Sequence, residues 1–289
     1  MDSSHAYRIV TLANGTRSVH SRDHSETFHP VIGPVAEAEA LYVRQLQLTD
    51  RVKASQEEFV IWDVGLGAAA NALTVLRATS KLATNIRIVS FDHTAEPLAF
   101  ALEHAEELGY FEGYQQPLRE LLASGQTRFK DGNREVHWKY HLTDFPTFIA
   151  AEAGNPKSSA LPRPHAILFD AFSPAKNPAM WTGPLFASIY KLLDPQRPCA
   201  MPTYSRSTIL RVSLLLAGFF VGAGHATGEK EETTIATNQL QMLVEPLDRM
   251  WLAKAKRSTS AEPLWEPIYR QAPLTAATWE KLCEHPQFR

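Results

Sequence analysis

A chain of 289 residues, 44% of them hydrophobic, is long enough to bury one large α/β core with appendages. Its formal net charge of −2 excludes a global field for nucleic acid and leaves only local basic patches. Cys199 and Cys283, far apart and without ligand spacing, argue against a disulfide framework or a zinc site and suit a reducing interior. Residues 1–20 hold no apolar core of signal-peptide length, and no run of about eighteen apolar residues occurs, so the expected compartment is the cytoplasm.

Tyr7 to Leu12 alternates, Asn14-Gly15 is a hairpin turn, and Thr16 to His20 returns, so residues 7–31 read as a β-hairpin arm. Ser25 to Pro30 leads to a helix over 34–48, with Pro34 near its start and Ala38, Leu41 and Leu48 as its buried stripe. Glu26, His29 and Glu37 are titratable groups at that junction, where capping and a solvated face compete with a functional role.

Phe59 to Val64 is a buried strand that runs into Gly65-Leu66-Gly67, and a helix starts at once. Glycines let the backbone turn tightly and approach a ligand, while the new helix offers unpaired N–H groups. A second strand, Ile86 to Phe91, ends on Asp92. An acidic group there either holds a nucleoside ribose or caps the helix over 95–108. Residues 95–125 read as helical, broken around Gly109 and Gly113; Val136 to Leu142 alternates like a third strand, and Asp144 follows it.

After a polar, proline-punctuated loop over 152–164, Ala166-Ile167-Leu168-Phe169 has the composition of a buried parallel strand and ends on Asp170. Ligands of open α/β sheets bind outside the carboxyl ends of the strands, so Asp170 is the first candidate for chemistry, against the plainer role of a strand-terminal cap. The loop beyond it carries Phe172, Met180 and Trp181 among Ser173, Lys176 and Asn177, a mixture typical of loops that line sites. Thr182-Gly183-Pro184 opens a helix that Asp194-Pro195 stops. Residues 199–203 offer a short strand, Tyr204-Ser205-Arg206-Ser207 opens a helix through Leu216, and two antiparallel strands start at Gly218 and Thr233 around a turn over 224–230. From 245 onward the pattern weakens into a tail. Its segment from Arg249 to Arg257, with Lys254, Lys256, Trp251 and Leu252, suits a phosphate-contacting patch or a solvated helix face.

This order of parts resembles the class I S-adenosylmethionine-dependent methyltransferase fold. Asp170-Ala171-Phe172-Ser173-Pro174-Ala175-Lys176-Asn177-Pro178 with Met180-Trp181 resembles the signature of the MnmC-like methyltransferases, the methyltransferase half of a tRNA wobble-uridine modification enzyme. Asp63 to Gly67 with Asn71 is similar to that family's glycine loop, Ser25 to Pro30 with Gly33 and Glu37 to its N-terminal motif, and Gly228-Glu229-Lys230 with Thr233-Thr234 to its final hairpin. The resemblance covers residues 7–240. It implies a Rossmann-like, mostly parallel seven-stranded sheet with a C-terminal antiparallel hairpin and a small N-terminal β-hairpin arm. The corresponding domains are an arm and helix over 1–50, a methyltransferase domain over 51–245 and a tail over 246–289. Nothing after 245 offers a second dinucleotide fold, so the expected form stands alone, without the family's flavin-dependent oxidase domain.

The implied reaction is methyl transfer from S-adenosylmethionine to an aminomethyl nitrogen on a tRNA uridine. The resemblance assigns Glu37, Asp63, Gly65, Gly67, Asn71, Asp92, Asp144 and Asp170 to the cofactor, with Asp92 on the ribose and Asp144 on the adenine edge. It implies catalysis by Asp170 as proton acceptor with Phe172, Asn177 and Tyr204, where Phe172 and Trp181 exclude water or stack on the base, Tyr204 and Lys176 border the acceptor pocket, and no metal takes part. The chain departs from the family in having Ala68-Ala69-Ala70 where a further glycine is usual. Two alternatives stay open: a methyltransferase of the same fold acting on a small-molecule amine, and a binding protein on a degenerate fold.

Overall fold

The computed structural model describes residues 6–227 and 231–289. The chain divides into two compact units, residues 1–143 with 226–231, and residues 144–225 with 232–289. The expected Gly228-Glu229-Lys230 turn lies outside the described residues.

The first unit opens with a three-stranded antiparallel sheet, β1 (Tyr7–Thr11), β2 (Arg17–Ser21) and the two-residue β3 (Glu26–Thr27). The expected hairpin is thus present with one more strand. The single helix expected over 34–48 is divided into α1 (Pro34–Ala38) and a π-helical segment (Glu39–Arg44), after which α2 (Leu48–Ala54) begins. Gln47 takes a left-handed conformation between them. Ala38, Leu41 and Leu48 are nonetheless fully buried, so the apolar stripe was read correctly and the helix continuity was not.

Then come β4 (Phe59–Val64), α3 (Ala70–Thr79), β5 (Ile86–Asp92), α4 (Glu96–Glu103), α5 (Ala105–Leu108), α6 (Gln115–Ser124), β6 (Gln126–Asp131) and β7 (Arg134–Leu142). Their order in the sheet is β4-β5-β7-β6, with β4, β5 and β7 parallel and β6 antiparallel at the edge. Every residue of β4 is buried, which is why its sequence is a continuous apolar run interrupted only by Asp63. Trp62, Phe91 and Trp138 fill this core. Arg134, 2% exposed, donates to Leu76 O and Thr79 O at 2.8 Å each and pairs with Asp131, closing the C-terminal end of α3.

The second unit contains α7 (Phe145–Gly154), β8 (Ala166–Phe169), α8 (Gly183–Lys191), β9 (Ala200–Thr203), α9 (Thr208–Ala217), β10 (Phe220–Gly224) and β11 (Thr233–Thr237). Its strand order is β10-β11-β9-β8, with β8 and β9 parallel and the last two strands antiparallel. Each unit contributes four strands, eight in place of the seven expected; the addition is β6. Gly132-Asn133 turns it into β7, a hairpin signal overlooked because Gln126 to Asp131 is mostly polar.

The segment after 245 is folded. It forms α10 (Arg249–Arg257), capped by Asp248, and α11 (Ala276–Cys283), capped by Thr275. Residues 245–247 run beside β10, with Ala223 N bonded to Glu245 O and Leu247 N to Val221 O, both at 2.9 Å. The Gln287 amide bonds both backbone groups of Val221, at 2.8 and 2.7 Å, and Leu247 O at 2.8 Å. Of the basic residues on α10, Arg249 donates to Phe288 O and Lys256 lies over the Trp279 ring.

Candidate active site

At the carboxyl end of β4 the chain must reverse into α3 within a few residues. Gly65 (φ 89°) and Gly67 (φ 49°) take the left-handed conformations that this requires. The backbone of the turn is tied to β5: Gly65 N donates to Phe91 O at 3.0 Å, and Gly67 N to Asp92 Oδ2 at 2.9 Å. Asp92 Oδ1 also accepts from His93 N at 2.8 Å. One carboxylate therefore joins the ends of two neighbouring strands. Ala69, 1% exposed, holds a left-handed conformation (φ 61°) as the N-cap of α3. The turn keeps a path that glycine would adopt more easily, with alanine in it.

Asp63, 1% exposed, is paired in register with Ser90 of β5, whose hydroxyl donates to Asp63 Oδ2 at 2.7 Å. The same hydroxyl accepts from Trp138 Nε1 at 2.8 Å. An indole only donates, so the single serine proton must point to Asp63 and the direction of this buried chain is fixed. Ser90 and Trp138 were not singled out in the sequence; the available signal was a polar residue inside an otherwise apolar strand. Asn71 is buried at the start of α3, and Glu37 is buried on α1 with its carboxylate 3.7 Å from His29 Nδ1. Tyr140 donates to Thr94 O at 2.9 Å. Its phenol is pushed up by burial and then by the charges of Asp92 and Asp63, so it stays a donor at neutral pH.

The second group of candidates follows β8. Asp170 is half-buried one residue beyond the strand. The two carbonyls after it are held by buried or half-buried aromatic side chains: Tyr204 Oη donates to Ala171 O at 3.0 Å, and Trp181 Nε1 to Phe172 O at 2.8 Å. Trp181, 1% exposed, meets Phe169 and Tyr204 edge-on at 5.4 and 5.8 Å. Lys176 N and Asn177 N both donate to Ser173 O, and Asn177 O accepts from Met180 N, so Asn177 leads into the 3₁₀ turn Pro178–Trp181. Thr182 then caps α8. Tyr204 thus uses its hydroxyl to hold the loop, a positioning contact the sequence did not reveal. Asp144 caps α7 by accepting from Thr147 N at 3.0 Å and is exposed. Within the first unit, then, Gly65, Gly67 and Asp92 are brought together, with Asp63 reached through Ser90. Within the second, Ala171, Phe172, Trp181 and Tyr204 converge on the backbone beside Asp170.

The first unit's residues fit a nucleoside-bearing cofactor. Asp92 Oδ1 is met by His93 N, by the His93 ring at 3.2 Å and, at 3.4 Å, by Thr94 N, whereas Oδ2 accepts from Gly67 N, which leaves capacity on Oδ2 for a ribose hydroxyl. The turn beside it is lined by backbone at Gly67, where a Cβ would meet the Phe28 ring at 3.2 Å.

Residues 115–239 match the family described as S-adenosyl-L-methionine-dependent methyltransferase. The tRNA 5-methylaminomethyl-2-thiouridine biosynthesis bifunctional protein MnmC of Aeromonas hydrophila is 27% identical over 236 residues, covering 76% of this chain and 34% of that protein. Its counterpart from Ectopseudomonas mendocina is 25% identical over 250 residues, covering 83% and 36%. The chain spans about a third of the length of the curated relatives it matches. The crystal structure of MNMC2 from Aquifex aeolicus shares the fold, with a TM-score of 0.67 at 21% identity over 98% of this chain and 84% of that one.

Proposed function

Because the chain is an S-adenosylmethionine-dependent methyltransferase related to the methyltransferase portion of the MnmC proteins, we propose that it methylates an aminomethyl nitrogen on a tRNA wobble uridine. Gly65, Gly67 and Asp92 would hold the cofactor, Asp92 at the ribose, and we assign Asp63, Asn71 and Glu37 to the same cofactor. Asp144 is assigned to the adenine edge. When bound, S-adenosylmethionine supplies an electrophilic methyl carbon. Displacement at that carbon is in line, so the protein's task is chiefly alignment.

An alkylamine with a pKa of about 10 is protonated at neutral pH and has no free lone pair. Asp170 accepts that proton, directly or through water, and orients the nitrogen; such a positioned acceptor contributes about 10²- to 10⁴-fold. Phe172 and Asn177 border the acceptor. The observation that carries this reading is the double anchoring of the carbonyls of Ala171 and Phe172, which fixes the backbone directly after Asp170. We place the protein in the cytoplasm; among the described residues no helix is long and apolar enough to cross a membrane.

The test is Asp170→Asn assayed on undermodified tRNA, with methylated nucleosides measured by mass spectrometry. Turnover should fall about 10²- to 10⁴-fold, and unchanged turnover refutes the assignment. The net charge of −2 favours a second reading, a small-molecule amine as acceptor. Methylation of free aminomethylated nucleosides but of no tRNA would select it.

A further inference from the structure

We propose that the N-terminal sheet supplies a wall of the cofactor site, with Phe28 as a side chain that contacts the cofactor beside Gly67. The inference rests on the cofactor reading of the glycine turn and not on the identity of the methyl acceptor.

Phe28 follows β3 and is fixed at both backbone groups: its N donates to Val19 O at 2.8 Å, and its carbonyl accepts from the Ser18 hydroxyl. The short β3 is flanked by two non-glycine residues in the left-handed region, Ser25 (φ 52°) and His29 (φ 50°). Such conformations are strained and persist where surrounding structure enforces them. They aim a large ring that is only half-buried. A core aromatic would be buried completely; this one is held rigidly with part of its surface open.

The ring lies against the glycine turn. A Cβ built on Gly67 would stand 3.2 Å from Phe28 Cε2 and 3.6 Å from Cδ2, so the ring flanks the face of the turn on which no side chain intervenes. Tyr7 of β1 supports it edge-on at 6.5 Å and packs on Phe100 of α4 at 6.1 Å. Further along, His24 meets His93 edge-on at 6.3 Å, one residue after Asp92. The arm therefore reaches Gly67 and the residue that follows Asp92, two successive parts of the cradle, from outside the parallel sheet. Its negative surroundings are consistent with this placement: the Tyr7 phenol is pushed up to about 12 by burial, then by Glu96 and Asp92. An apolar edge beside the glycine backbone suits the methylene groups that flank the sulfur between the two polar ends of the cofactor.

The experiment uses the full chain with S-adenosylhomocysteine as the probe. Calorimetric titration of Phe28→Ala should show at least tenfold weaker binding than wild type, and Phe28→Leu an intermediate loss. Hydrogen exchange of the wild-type arm, residues 17–29, should slow on adding S-adenosylhomocysteine, a readout that needs no substitution and would not move if Phe28 were merely structural. Binding by Phe28→Ala within twofold of wild type, or arm exchange that ignores the ligand, overturns the proposal. So does failure of the wild type to bind the probe. None of these results depends on a tRNA, so loss of the acceptor assignment would leave this one standing.

Discussion

The turn after β4 and the loop after β8 both leave the carboxyl end of a buried parallel strand, yet they are held by opposite means. The first is built from small residues, and its backbone N–H groups are tied to a strand carbonyl and to the Asp92 carboxylate. The second is tied through its carbonyls to the polar ends of two large aromatic side chains, Trp181 and Tyr204. A turn held by a charge keeps its backbone exposed to a ligand and fails when one carboxylate is lost. A loop held by buried rings has its shape set by volume, and a carboxylate within it can be changed without collapsing the frame.

This contrast can be broken most decisively at Asp92. Asp92→Ala removes the acceptor of Gly67 N–H together with the proposed ribose partner. At about 1.5–3 kcal/mol for each hydrogen bond to a charged group, S-adenosylhomocysteine affinity should fall about 100-fold or more by calorimetry. Near-normal binding would mean that the carboxylate is only a strand tie. Trp181→Phe keeps an aromatic ring and deletes the donor to Phe172 O, so stability should drop by about 0.5–1.5 kcal/mol in urea titration. Cofactor affinity should stay within twofold while methyl transfer slows; if affinity fell in step, the two regions would not be separable.

Ala69→Gly sharpens the view of the turn. Relief of the left-handed alanine, about 1–2 kcal/mol, opposes extra unfolded-state entropy of about 0.5–1 and loss of a buried methyl worth about 0.8. Stability should therefore remain within about 1 kcal/mol of wild type, whereas a larger loss would show that the methyl packs something essential.

The smallest effect is expected at His285, near the end of the chain. Burial lowers the pKa of His285, and its Nδ1 accepts from Gln287 N at 3.2 Å, which requires that nitrogen to be unprotonated. The unfolded chain takes up this proton first, so the contribution is intact above about pH 6.5 and is lost as pH falls through the lower folded value. Thermal melts from pH 7 to pH 5 should show a decline that His285→Gln reduces.

Much of the frame was legible because its signals are short-range. Continuous apolar runs identified β4, β5 and β8, and glycines after β4 with acids after β5 and β8 marked the strand ends. The edge strand β6 was missed because its outward residues are polar and its strand partner is β7, reached through the hairpin. The break in the helix over 34–48 was hidden because the same residues stay buried on either side of it. The roles of Ser90, Trp138 and Tyr204 were hidden for another reason. Each hydrogen-bonds to a residue 27 to 48 positions away in the chain, and no local pattern encodes such a partner.

The Gln287 amide takes the N–H of Val221 and shares its C=O with Leu247 N, so one side chain clasps β10 together with the segment beside it. Two of the three hydrogen bonds of this amide depend on a single nitrogen. Replacing it by oxygen, as in Gln287→Glu, turns the donor toward Val221 O and Leu247 O into an acceptor and repels both carbonyls. The bonds from Leu247 N to Val221 O and from Ala223 N to Glu245 O would remain, so the edge of β10 stays covered while one atom sets how firmly the C-terminal residues are clasped to it.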